Sequence, residues 1–274
     1  MLSCSTKKED SLEERLTRVQ QEIEVQRYDQ ATSEINSIIE EYPDSDRAKT
    51  IKASIYVHKA GIRLKDYFEF EKALTDERVV VTPLINDEQL AQLQKLIKDS
   101  GPGLVQMVEQ MNSVHNDFQD FSKRVERLPS LMPEREQDFQ TALDVLASLQ
   151  KPNTGQYLYR SVIKTIYFKH LWVTGQLNVF DHSRFCYDSI TSIRMRINNA
   201  YAWMRSILED GRQGIPSKAK TIEKILTESE LAINEFNKAF GQLETNQNHF
   251  IALIDTAATA AGVNVNSVMG DLCK

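Results

Sequence analysis

Ile222, Leu226, Ser229, Ile233, Phe236, Phe240, Leu243, Gln247, Phe250 and Ile254 recur at steps of four and three without a slip. A seam of this kind predicts a helix packed lengthwise against neighbours of similar length. Leu104, Val108, Met111, His115, Phe118, Ser122 and Val125 form a second seam, and Cys186, Ile190, Ile193, Ile197, Ala200, Met204 and Ile207 a third. At about 1.5 Å per residue the second helix reaches about 37 Å, and the last about 65 Å if unbroken.

All seven prolines, Pro43, Pro83, Pro102, Pro129, Pro133, Pro152 and Pro216, fall between periodic stretches. A proline inside a helix costs about 3 kcal/mol, so these positions mark ends. The pattern predicts helices over 11–25, 28–41, 45–74, 87–99, 103–127, 133–149, 154–178, 182–209 and 216–260. Asp87-Glu88, Pro102, Pro133-Glu134 and Pro216-Ser217 suit first turns. Asp99-Ser100-Gly101-Pro102-Gly103 and Asp210-Gly211-Arg212-Gln213-Gly214 read as breaks, and Gly241 as a bend or a close helix contact. Only Arg78–Ile85 has an extended pattern, and nothing in the chain offers it a partner strand, so it reads as a linker. The expected fold is all-α: helical hairpins followed by a long-helix antiparallel bundle with heptad seams. The expected division is a flexible tether over 1–11, hairpins over 12–75, a linker with a short helix over 76–102 and the bundle over 103–274.

Within the first part, residues 27–61 carry Arg27-Tyr28-Asp29-Gln30-Ala31, then Ile35, Ile38-Ile39, Glu41-Tyr42-Pro43-Asp44-Ser45, Ala48, Ala53, Tyr56 and Gly61. This resembles one tetratricopeptide repeat: Ala31 and Ala53 match its small positions, Tyr56 its aromatic one, and Pro43 its turn. The Tyr-Pro-x-Ser wording is similar to repeats of bacterial envelope lipoproteins. The resemblance covers about 50 residues as one unit and a degenerate continuation from Lys65-Asp66-Tyr67 to Ala73, whereas arrays need about three units. It implies binding of a peptide or partner helix on a concave face. That face would carry Lys49, Lys52, Tyr56 and Lys59, with an acidic segment as partner. The competing reading makes the lysines a solvated face beside Asp44, Asp46 and Asp66.

Residues 157–203 hold ten of the 22 aromatics. Arg160, Lys164, Lys169, Arg184, Arg194, Arg196 and Arg205 lie in and beside this stretch, against Asp181 and Asp188 alone. Tyr159, Arg160, Lys164, Trp172, Arg194, Arg196 and Trp203 could clamp an anionic or planar ligand, or a partner's acidic helix. The structural alternative is a central helix, apolar on two sides (Leu158, Val162, Ile166 and Val173; Phe168 and Trp172), with its cations snorkelling outward.

Chemistry is sparse. The histidines His58, His115, His170, His182 and His249 share no metal-ligand spacing, and no Glu-x-x-His or Cys-x-x-Cys occurs, so no metal or other cofactor is expected. His115 on its seam reads as a register-fixing core residue. No phosphate-cradling glycine loop, Gly-x-Ser-x-Gly elbow or Cys–His pair is present, and no catalytic residue is assigned.

A net charge of −6 at pH 7 argues against general nucleic-acid binding. No run of about 18 apolar residues could span a membrane. Of the three cysteines, Cys186 is a seam hydrophobe and Cys273 a terminal one. Cys4 stands in Leu2-Ser3-Cys4-Ser5-Thr6-Lys7-Lys8, which resembles the lipidation signal of bacterial lipoproteins without the apolar stretch that precedes it there. The resemblance implies an acyl anchor on Cys4 and the periplasmic face of the outer membrane; an ordinary terminal cysteine is the other reading. The expected function is thus a non-enzymatic, lipid-anchored protein-interaction scaffold of the cell envelope. A cytoplasmic helical adaptor without lipid and an α-helical pore-forming toxin component are the alternatives.

Overall fold

The computed structural model describes residues 11–62, 91, 95, 102–126, 128–177 and 190–245, apart from some side chains within the later helices. Among the described residues the chain is all-α, with eight α-helices, no strands, and helical hairpins packed against one another. The helices are α1 (Leu12–Glu24), α2 (Tyr28–Glu41), α3 (Asp46–Lys59), α4 (Pro102–Val125), α5 (Glu136–Ala147), α6 (Thr154–Val173), α7 (Ile190–Gly214) and α8 (Ala219–Thr245). Cys4, the linker Arg78–Ile85, Cys186, His182, His249 and Cys273 lie outside the described residues, as does the helix over 87–99 except Ala91 and Lys95, which are helical.

Local chemistry sets most ends. Ser11 Oγ accepts from Glu14 N while Glu14 Oε2 accepts from Ser11 N at 2.8 Å, a capping box that opens α1. Asn153 and Gln156 build the same device at α6. Ser45 caps α3 through Ala48 N. Pro133 and Pro216 each open one 3-10 turn that runs into α5 and α8.

Besides α6, which ends at Val173 and not at 178, two helix ends and one glycine differ from expectation. The helix expected over 45–74 ends at Lys59. Gly61 takes φ +84°, with Gly61 N on His58 O and Ile62 N on Val57 O, a Schellman closure that folds Ile62 back into the core. The helix expected to break at Asp210–Gly214 runs through to Gly214, because Asp210 is held by α6 and Gly211 is buried. Gly241 lies inside α8, where a Cβ would meet nothing within 4 Å among the described residues, so it marks no close helix contact with them.

The packing follows from the hairpins. α1, α2 and α3 enclose a core of Leu16, Val19, Ile23, Ala31, Ile35, Ile38, Ala48, Ile51 and Ile55. α6 packs on α4, α5 and α7, and α8 closes on α4 and α7. Arg160 faces Asp210, Ser161 faces Ile207 and Lys164 faces Ser206, so α6 and α7 run antiparallel. Asn198 and Asn237 exchange amide hydrogen bonds of 2.8–2.9 Å between α7 and α8.

Seam burial varies. Phe118, Ile197, Ala200, Met204, Ile207, Ile222 and Phe236 are buried, while Ser122, Leu226, Ser229 and Ile233 are half-buried. The side chains of the other seam residues, His115 included, lie outside the described set.

α3 belongs to both cores. Ala48, Ile51 and Ile55 face α1 and α2, whereas Ala53, Val57, Ala60 and Ile62 join the larger core with α5. Asp46 accepts Gln150 N (2.9 Å) and Lys151 N (2.7 Å), and Thr50 Oγ accepts Gln156 Nε2 (2.8 Å). These bonds fasten the hairpins to the start of α6.

Candidate functional site

The two faces of α3 left after its core contacts are opposite one another. At about 100° per residue, Lys49, Lys52, Tyr56 and Lys59 share one face, and Thr50, Ser54, Val57 and His58 centre on the other. On the first face Tyr56 packs against the larger core, and Lys59 Nζ lies 3.9 Å from Asp29. Lys49 and Lys52 are half-exposed and make no ion pair with the described residues.

The opposite face opens onto a cleft of about 470 Å³ between α1, α3 and the start of α6. Its floor is Ile23, Ile51, Val57 and Ile62, and its polar rim includes Gln20, Glu24, Thr50, Ser54, His58 and Tyr159. Burial lowers the pKa of His58, partly countered by the charge of Glu24, so the imidazole is neutral at pH 7. Sequence reasoning missed this cleft because α1 and the start of α6 are about 130 residues apart in the chain. The two capping boxes that fix its walls were legible as Ser-x-x-Glu and Asn-x-x-Gln.

The seven residues of the expected basic-aromatic patch are divided among different partners. Arg160 forks onto Asp210 (Nε–Oδ2 2.8 Å, NH2–Oδ1 2.5 Å) and Lys164 Nζ reaches the same carboxylate at 2.7 Å and Ser206 Oγ at 2.6 Å. Asp210 is only 4% exposed. Its hydrogen bond raises the pKa of Arg160, whose guanidinium also lies over the Tyr157 ring. Trp172 packs on Phe118 and Phe168, and Trp203 on Tyr167. Arg194 donates to Asn237 Oδ1 on α8; half-buried Arg196 also lies on α7, and Tyr159 lines the cleft. Asp210, which the sequence reading placed in a loop, is the residue that gathers Arg160 and Lys164.

Two further polar clusters sit in the larger core. Tyr167 hydroxyl donates to Glu136 Oε1 at 3.1 Å, and His170 Nε2 lies 3.5 Å from Glu136 Oε2. Tyr201 is pushed well above its ordinary pKa by burial, then by the nearby Asp117 carboxylate, and stays a phenol. Among the described residues no group of three or more His, Cys, Asp and Glu could hold a metal ion, and no helix is long and apolar enough to cross a membrane. Comparison of the chain with protein-family models, curated proteins and solved structures finds no match.

Proposed function

We propose that this chain is a non-enzymatic protein-interaction scaffold of the bacterial cell envelope, held to the periplasmic face of the outer membrane by lipid on Cys4. In this reading, tetratricopeptide-like hairpins sit on a long-helix antiparallel bundle, and the hairpins present the binding surface. The observation that carries it is α3: one helix is shared by both cores and keeps an open cleft on its free side. Rigid, concave and mixed polar-apolar surfaces suit capture of a polypeptide segment at low ordering cost. The Leu2-Ser3-Cys4-Ser5 residues support the anchor.

Two measurements test this together. Protein expressed from the native gene should partition with outer membranes, and Cys4→Ser should release it, since acyl chains contribute about 0.8 kcal/mol per buried methylene. Site-specific photo-crosslinking in cells from the cleft rim should capture a discrete polypeptide. A native product wholly in the cytosolic fraction would instead favour the adaptor without lipid. Absence of any crosslinked polypeptide would remove the scaffold.

A further inference from the structure

We propose that the cleft between α1, α3 and the start of α6 takes an extended segment of a partner protein that inserts a lysine or arginine flanked by aliphatic residues. The inference rests on the scaffold reading and specifies its docking site and the chemistry of its partner. It reverses the charge preference expected from the lysines, which occupy the opposite face of α3.

The polarity of the cleft comes from where its protons are already committed. Thr50 Oγ donates to Asp46 O at 2.7 Å, and Ser54 Oγ donates to Ile51 O at 2.7 Å. Both hydroxyl protons are therefore spent on main-chain carbonyls, and the hydroxyls offer lone pairs to a visitor. Thr50 uses one of its lone pairs on Gln156. Ser54 accepts no hydrogen bond from the described residues. These two hydroxyl acceptors, beside the Glu24 carboxylate, suit an ammonium or guanidinium, which has only donors.

Charge points the same way. Among the described lining residues Glu24 is the only carboxylate, and there is no lysine or arginine. Glu24 is exposed, makes no ion pair with the described residues, and is the last residue of α1. That helix has no basic residue in its last turn, so the partial negative charge of its terminal carbonyls adds to the carboxylate. His58, held neutral by burial, does not cancel it. Below the rim, Ile23, Ile51, Val57 and Ile62 form an apolar floor that matches the aliphatic stem of a cation and its neighbours.

The test selects a random dodecapeptide phage library on the full chain, with Glu24→Lys as counter-target. Glu24 is exposed, so the variant should keep the native thermal transition, and a melt verifies this. Expected is enrichment of peptides with Lys or Arg beside aliphatic residues. The synthetic form of the leading peptide should bind about tenfold more weakly to Glu24→Lys by fluorescence anisotropy. Its affinity should fall with salt and stay unchanged in the opposite-face variant Lys49→Glu/Lys52→Glu. Enrichment of acidic peptides, binding indifferent to Glu24→Lys, or free arginine binding as tightly as the peptide would overturn the inference while leaving the scaffold reading. No enrichment above background would overturn the inference and the scaffold reading together.

Discussion

Replacing Asp210 by alanine isolates one buried carboxylate that serves two cations. Arg160 and Lys164 side chains are 16% and 19% exposed, and Asp210 accepts from both at 2.5–2.8 Å. The substitution removes the only negative charge in this ion-pair group and leaves two part-buried cations of like sign on adjacent turns of α6. Breaking a buried pair in this way costs about 3–5 kcal/mol, a large share of the roughly 5–15 kcal/mol that holds a domain folded. Burial, not the short distance, sets that magnitude. Arg205 and Glu209 also meet at 2.9 Å, but at 63% and 49% exposure, and Glu209→Ala should cost less than about 1 kcal/mol. Replacing the whole group by Arg160→Met, Lys164→Met and Asp210→Leu should be neutral or stabilising by about 1–4 kcal/mol, because no charge then remains to be desolvated. Urea denaturation of the full chain at pH 7, followed by far-ultraviolet circular dichroism and tryptophan fluorescence, measures all three. If Asp210→Ala and Glu209→Ala lose equal stability, the carboxylate is hydrated in solution and the reasoning fails.

Other substitutions test separate parts of the packing. Phe236→Ala should lose about 3–5 kcal/mol, since Phe236 is fully buried, and Lys238→Ala on the exposed side less than about 0.5 kcal/mol; equal shifts in denaturation midpoint would refute the register of α8. Gly214→Ala would place a Cβ 2.5 Å from Leu158 N, so α6 and α7 must separate at a cost of about 1–3 kcal/mol. Gly241→Ala, whose Cβ would meet none of the described residues within 4 Å, should stabilise the helix by about 0.5–1 kcal/mol, and thermal melts of the pair should move in opposite directions. For His58 the folded pKa lies below the ordinary value near 6.5, so the unfolded chain binds the proton first as pH falls. Stability should be lost from about pH 6.5 downward, and His58→Gln should flatten that slope in urea midpoints between pH 7.5 and 5.5; an unchanged slope would refute the burial of the imidazole.

Local patterns in the sequence determined the helical class, the proline-marked starts of α4, α5 and α8, and the limits of α2 at 28–41, because periodicity and capping act over a few residues. They also pointed to Phe118, Ile197, Met204, Ile207 and Phe236 as core residues. Tertiary structure decided the rest. Asp210-Gly211 has the composition of a turn, yet it is helical because Arg160 and Lys164 pull the carboxylate inward and a glycine is accepted where the helix is buried. α3 ends at Lys59, though the hydrophobic pattern runs on, because Gly61 takes φ +84° and returns Ile62 to the core. The cleft was equally invisible, since its walls come from residues 20–24, 50–62 and 155–159. Local propensity is worth tenths of a kcal/mol per residue, and contacts between distant helices are worth several. Where the two disagreed, the distant contacts chose the structure.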